Sequence, residues 1–293
     1  MNIVYISPHF PPNYYLFATH LKDRGANVLG IGDTAYDQLR PELKEGLREY
    51  YRVDDMSDYE QLLRACGYFT HIYGKLARVE SNNEHWLETE ARLRTDFNMH
   101  GPKLHQISRL ILKSEMKKQF QSAGVAVARG KVLKNREDAE RFIGEVGYPV
   151  VFKPDRGVGA ADTFRLESEA DLDAFFDPKQ HVRYFMEEFV TGTICSYDGL
   201  ADLNGNIVFH TAHVFSQGIM ETVNQDNDIY YYSLRDIPDD LEQAGRNSVG
   251  AFDIRGRFFH IEFFRTPDGR LVALEMNARP PGGLTTDMFN YAS

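Results

Sequence analysis

Cysteine is scarce in this chain of 293 residues, with only Cys66 and Cys195 present. Two thiols so far apart make neither a metal knuckle nor a disulfide framework, and both are expected to be reduced packing residues. No apolar run approaches the roughly 18 residues that a membrane span needs. The opening residues 1–7 lack a basic segment and their apolar run is cut by Ser7-Pro8, so they do not read as a signal peptide. A cytoplasmic location is expected. Basic charge is in deficit, 33 Lys plus Arg against 43 Asp plus Glu, a formal charge of −10. Such a chain is poorly suited to nucleic acid or an anionic membrane, and any polyanionic ligand must be held by a local basic site. The loop after the first apolar run has no Gly-x-Gly-x-x-Gly, which counts against a nicotinamide or flavin enzyme.

The length suggests about two domains. Residues 2–6 form a short apolar run stopped by prolines. A helical pattern through Leu16, Phe17, His20 and Leu21 ends at Gly25, and a second apolar run follows at 28–31. Strand, crossover helix and strand in about thirty residues imply a parallel sheet and an α/β amino end. Residues 69–73 read as a further strand, and 80–97 as a helix stopped by Gly101-Pro102, where the domain boundary is placed. A second helix is expected over 107–123. Beyond it, strands at 127–132, 148–153, 164–166, 207–213, 258–264 and 271–275 lie close together, which favours an antiparallel sheet and an α+β second domain.

Two segments carry chemistry. A β-branched strand delivers Lys153 into the turn Arg156-Gly157-Val158-Gly159-Ala160-Ala161. Small residues let successive backbone N–H groups close on an anion, and the lysine adds a point charge for phosphate. The lysine precedes the glycines, so this is not a Walker loop. In the second segment, Glu262 stands in the aromatic strand Phe258-Phe259-His260-Ile261-Glu262-Phe263-Phe264. After the turn Thr266-Pro267-Asp268-Gly269, Glu275 and Asn277 follow in the return strand. Two carboxylates in buried surroundings are costly unless they hold a cation, and oxygen ligands from two Glu and an Asn suit Mg²⁺. Arg279 lies two residues beyond, within reach of a phosphoryl or carboxylate oxygen.

Lysine-and-glycine loop, hydrophobic connector and paired-Glu hairpin, in this order, resemble the ATP-grasp superfamily of carboxylate ligases over residues 113–283. The resemblance implies a Rossmann-like parallel-sheet pre-ATP-grasp domain over 1–100. A two-lobed ATP-grasp domain would follow over 101–293, with a small lobe at about 113–190 and the lobe of the metal hairpin at about 191–293. It implies that Lys113 and Lys153 contact phosphates, and that Arg156, Gly157, Val158 and Gly159 belong to a loop that folds over the triphosphate. Glu187 or Glu188 would meet the adenine amino group, the Val190 N–H a ring nitrogen, and Asp198 the ribose or the metal. Glu262, Glu275 and Asn277 would hold Mg²⁺, with Mn²⁺ as a substitute, while Lys153 and Arg279 oppose the developing charge. Leu112 stands where the family usually has Asp, and Thr193 where many members have Glu. Relatives run on past the helix that begins at Thr285, so the chain reads as truncated or compact at its end.

The implied activity is that of an ADP-forming carboxylate–amine (or carboxylate–thiol) ligase. A substrate carboxylate takes the γ-phosphate of ATP, and a nucleophile then displaces phosphate from the acyl phosphate. Small-molecule carboxylates and amines are the implied partners, with a homodimer as the assembly to consider. Two alternatives stay open: an ATP-binding protein without turnover, and a biotin carboxylase-type enzyme, although the glycine loop is thinner than in biotin carboxylases. Ser7 and His9 lie where open α/β sheets bind ligands. His210 and His213, three apart on a strand, fall on opposite faces, whereas His260 shares a face with Glu262 and is a candidate to support it.

Overall fold

The computed structural model describes residues 1–157, 162–176, 183–216 and 230–289. The chain forms two compact units, Met1–Ile107 and Ser108–Ser293. Among the described residues no helix is long and apolar enough to cross a membrane.

In the first unit, β1 (Asn2–Ile6), β2 (Asn27–Gly32), β3 (Glu49–Arg52) and β4 (Leu76–Glu80) form a parallel sheet in the order β3-β2-β1-β4. Helix α1 (Tyr15–Asp23) crosses from β1 to β2, and α2 (Pro41–Gly46) follows on the same side. Both faces of the sheet are covered, so its central strands read as nearly continuous apolar runs. Tyr5 and Val28 pack with Ala18, Leu39 and Leu43 on one face. On the other, Val4, Ile6, Leu29 and Ile31 meet α3 (Tyr59–Tyr73) through Leu62, Ala65, Cys66 and Phe69.

That last contact corrects one expectation. Residues 69–73 are the final turns of α3, not a strand, because Leu62, Ala65, Cys66 and Phe69 recur at helical spacing and are all buried. The fourth strand is Leu76–Glu80. The helix expected over 80–97 begins later, as α4 (Leu87–Asp96) after a short 3₁₀ turn. Its buried face carries charge as well as Leu87, Ala91 and Leu93. Arg94 is fully buried, with Nη2 donating to Glu90 Oε2 (2.6 Å), Glu80 Oε2 (3.0 Å) and the Val79 carbonyl (2.7 Å).

The second unit begins with α5 (Ser108–Ile111) and α6 (Lys113–Ser122). One continuous helix was expected over 107–123, but Leu112 is extended (φ −104°, ψ 120°) and bridges Arg156. The Asp155 carboxylate accepts from Ser114 N (2.8 Å) and Ser114 Oγ (2.9 Å), capping α6 and fixing Lys113 at its first turn. A four-stranded antiparallel sheet follows, in the order β5 (Gly130–Val132), β8 (Tyr184–Glu188), β6 (Val150–Pro154), β7 (Phe164–Leu166). The strand expected at 127–132 is shorter here, since Val127 bridges instead to Ala273. Helices α7 (Arg136–Val146) and α8 (Glu169–Phe175) cover one face, where Phe142, Val150, Phe152, Leu172 and Met186 form a core.

The larger sheet runs β11 (Tyr231–Ser233), β10 (Ile207–Phe215), β9 (Thr193–Ala201), β12 (Arg257–Arg265), β13 (Leu271–Asn277), all antiparallel. Its outer face is apolar and meets α6 and α9 (Asp239–Ala251), with the Phe120 ring 4.9 Å from Phe252 and 6.5 Å from Phe263. Two glycines allow this closeness. A Cβ on Gly245 of α9 would stand 2.1 Å from the Tyr197 ring, and one on Gly199 would stand 2.2 Å from the Phe209 carbonyl. The described chain ends in the short helix α10 (Thr285–Met288). The architecture is therefore the expected one, a parallel α/β unit followed by an α+β unit.

Candidate active site

A cleft lies between the two sheets of the second unit. Val151, Lys153 and Glu187 line it from the smaller sheet; Ile194, Glu262, Phe264, Val272 and Glu275 line it from the larger; Lys113 and Lys117 project into it from α6. Strand alternation explains the set. Lys153 follows Val151 by two residues, and Val151 sits directly opposite Glu187, so all three share one face while Val150, Phe152 and Met186 point to the core.

On β12, Glu262 and Phe264 share the inner face by the same rule. On β13, Val272 and Glu275 are three residues apart and would fall on opposite faces of a regular strand. Glu262 pairs with Glu275 and Phe263 with Ala273, so Leu274 is the extra residue of a β-bulge. The bulge turns Glu275 back toward the cleft, directly across from Glu262.

The charges form two linked groups. Glu187 is nearly sealed off and stands between two lysines: it ion-pairs with Lys153, and its Oε2 lies 2.8 Å from Lys117 Nζ. Burial by itself would raise the Glu187 carboxyl, but the two ammonium groups override it and hold the group at about 2. Lys117 is pushed below its usual range by burial and by Lys153, against the pull of Glu187. Lys113 Nζ donates to the Gly157 carbonyl (3.0 Å) and lies 3.2 Å from Glu275 Oε1, a buried atom without an aligned hydrogen bond.

Behind Glu262 lies a second group. Asp198 is fully buried and both its oxygens are taken: Oδ1 by His260 Nδ1 (2.5 Å), Oδ2 by His213 Nδ1 (2.7 Å) and Ser196 Oγ (2.6 Å). Burial would raise its carboxyl, yet the histidines hold it at about 2. Burial would lower the His260 imidazole, but Asp198 and Glu262 raise it to about 9, so His260 is cationic at neutral pH. Its Nε2 lies 3.5 Å from Glu262 Oε1. Burial disfavours the Glu262 charge, but His260 and Arg279 outweigh it and keep the carboxyl below its ordinary value.

The residues singled out in the sequence are therefore distributed as follows. Lys113, Lys153, Glu187, Glu188, Val190, Glu262 and Glu275 all line the cleft. Asn277 is buried two register pairs from Glu262, opposite His260, and Arg279 is close enough for its charge to act on Glu262. Gly157 meets Lys113, and Arg156 pairs with Leu112 at the start of α6. Val158 and Gly159 lie outside the described residues. The Glu187 side chain is the counter-ion of two lysines, and the Glu188 carboxylate accepts from Arg129 N (2.8 Å) and Nε (2.7 Å). One expectation changes. Asp198 does not line the cleft, since the two histidines and Ser196 occupy it. Lys117 and Asp155 were not anticipated, although Lys113 and Lys117 at i and i+4 would repel on an isolated helix and so require an anion nearby.

Among the described residues no three His, Cys, Asp or Glu side chains gather into a metal cage. The donors present are two facing carboxylates and an Asn. That set fits a hard cation which draws its remaining oxygens from water and phosphate, as Mg²⁺ does. The unaligned, buried Glu275 Oε1 supports the fit.

Residues 146–287, just under half of the chain, match the family model described as "ATP-grasp domain". It is 23% identical over 248 residues to an L-arginine-specific L-amino acid ligase of Bacillus subtilis, an alignment covering 80% of this chain and 58% of that protein. It is 25% identical over 202 residues to the carbamoyl phosphate synthase large chain of Thermotoga petrophila, covering 61% of this chain and 17% of the synthase chain. The chain thus spans little more than half of the first relative and about a sixth of the second. Among solved structures, an L-amino acid ligase from Bacillus licheniformis superposes with a TM-score of 0.73 at 17% identity, over 97% of this chain and 68% of that one. An ADP complex of an N5-carboxyaminoimidazole ribonucleotide synthetase gives 0.69 at 15% identity, over 96% and 70%. At these identities the superpositions speak for a common fold.

Proposed function

We propose that this chain is an ADP-forming carboxylate–amine ligase that uses ATP and Mg²⁺, with an amino acid as the first carboxylate to try. The observation that carries the reading is the cleft's charge layout. Glu262 and Glu275 face each other on one wall, and Lys113, Lys117 and Lys153 line the same cleft, Lys113 paired with Glu275 and the other two with the buried Glu187. An apolar section lined by Val151, Ile194, Phe264 and Val272 suits a planar base, next to backbone 188–192. The names of the relatives support the same reaction class.

The chain's residues divide the work. Lys113 and Lys153 neutralise phosphate oxygens, and Arg279 opposes charge at the transferred group. Glu262, Glu275 and Asn277 would hold the metal, which would offset phosphate charge and so lower the repulsion toward a carboxylate nucleophile. The substrate carboxylate is already ionised at neutral pH and needs no base.

Glu275→Gln tests this reading, because it removes one metal-facing charge at constant volume. ADP release should require Mg²⁺, a carboxylate and an amine in the wild type, and fall by at least about 100-fold in the variant while its thermal unfolding stays cooperative. Wild-type rates in Glu275→Gln would refute the metal assignment, and tight ATP binding without turnover for any substrate pair would refute the ligase.

A further inference from the structure

The reaction above does not use the polar group behind Glu262. Cross-strand pairing sets eight residues of the larger sheet in two adjacent rows on the cleft-facing side. One row runs Thr211, Asp198, His260, Asn277; the other runs His213, Ser196, Glu262, Glu275. His213 is thus two strands from Glu262 along one row, about 10 Å at ordinary strand spacing.

Asp198 is an acceptor only, so the His213 Nδ1 that meets it carries the hydrogen, and the lone pair of the neutral ring lies on Nε2. That Nε2 is fully buried and has no hydrogen-bond partner among the described residues. The rings of Tyr231 and Phe289 flank the imidazole at centroid distances of 6.2 and 6.4 Å. A buried acceptor left open is costly, and the N–H of an ammonium substrate is a donor that would complete it.

We propose that His213 is the general base of the second transfer, an inference that rests on the ligase reading and extends it. A nucleophile that arrives as an ammonium ion has no lone pair. Nε2 takes one of its protons, and the freed pair attacks the acyl carbon. The new C–N bond forms, the bond from carbon to the phosphate oxygen breaks, and inorganic phosphate leaves with that electron pair and takes up the second ammonium proton, which the nitrogen sheds as it becomes an amide. The imidazolium then returns its proton to solvent as products depart. Asp198 fixes the tautomer and stabilises the charged ring, as a carboxylate behind a catalytic histidine does. Among the described residues the titratable groups facing His213 are Asp198 from β9, His260 behind it from β12, and Tyr231 from β11, with the Phe289 ring at 6.4 Å.

Hydroxylamine separates the base from the rest of the reaction, because it is largely unprotonated near neutral pH and attacks an acyl phosphate unaided. Wild type and His213→Gln would be given ATP, Mg²⁺ and each of the twenty L-amino acids, with either hydroxylamine or the same amino acids as nucleophile. Hydroxamate formation should stay within about two-fold in the variant, while dipeptide formation falls roughly 10²- to 10⁴-fold. That deficit should shrink as pH rises from 7 to 9, because more amine reaches the site already deprotonated. Equal loss of hydroxamate and dipeptide in both His213→Gln and His213→Asn, or a deficit that does not change with pH, would overturn the base. Absence of hydroxamate from the wild type with every amino acid would instead overturn the ligase reading, and the base with it.

Discussion

Replacing Glu187 by glutamine removes the anion that lies between Lys117 and Lys153 and leaves the shape of the side chain almost unchanged. A carboxyl held at about 2 instead of its ordinary 4.5 contributes roughly 3 kcal/mol at neutral pH, at about 1.4 kcal/mol for each pH unit. The folded value is the depressed one, so this stability is complete above the ordinary value and drains away as pH falls from about 4.5 toward 2. Breaking a buried pair by removing one partner costs a similar ~3–5 kcal/mol, because the other charges stay buried without compensation. For a unit of this size the expected fall in Tm is roughly 6–12 °C. Urea unfolding of wild type and Glu187→Gln, run from pH 7 to pH 3, measures the gap. It should be full at pH 7 and fall to less than about half by pH 3. A variant as stable as wild type at pH 7, or a gap that stays constant down to pH 3, would refute the account of the buried triad.

On the ligase reading, Lys153→Ala should weaken ATP binding by about 1.5–3 kcal/mol, the worth of a charge-assisted contact; calorimetric titration with ATP that gives an unchanged Kd would remove Lys153 from the site. Gly245→Ala should cost about 1–3 kcal/mol of stability through overpacking, since its Cβ would meet the Tyr197 ring at 2.1 Å. A denaturation midpoint equal to wild type would show that α9 and β9 can separate more freely than their contact implies.

The elements legible in the sequence are those whose two faces differ in a regular way. Strand β12 alternates Phe259, Ile261 and Phe263 against His260 and Glu262, and the turn at Asp268-Gly269 marks its return partner. The β1–α1–β2 crossover is equally plain. Strand β9 was not picked out, although it is the centre of the larger sheet. Its run Thr193–Ala201 places Cys195, Tyr197 and Gly199 on the apolar face and Ser196 and Asp198 on the other, so small and polar residues hide the period. Gly199 would ordinarily argue against a strand, and its reason lies in a different strand, where the Phe209 carbonyl leaves no room for a Cβ. Residues 69–73 misled in the opposite sense: aromatic and β-branched residues ending a helix imitate a strand when the earlier turns are not counted with them.

Individual carboxylates of the site could be found because an acid in an aromatic strand is conspicuous, but the pairings between them could not. Glu187 reads as an acid next to another acid, Glu188. Only the sheet register shows one turned inward to two lysines and the other outward to Arg129. The bulge at Leu274 is likewise invisible in composition, yet without it Glu275 would point away from Glu262. The repulsion between Lys113 and Lys117 was the one available clue that an unseen anion was needed. A helix tolerates like charges at i and i+4 on a buried face only if something outside it neutralises them. Glu187 and Glu275 do so from the two walls of the cleft. A triphosphate would take over that role for Lys113 and Lys153, so the energy of the apo ion pairs sets the threshold that nucleotide binding must exceed.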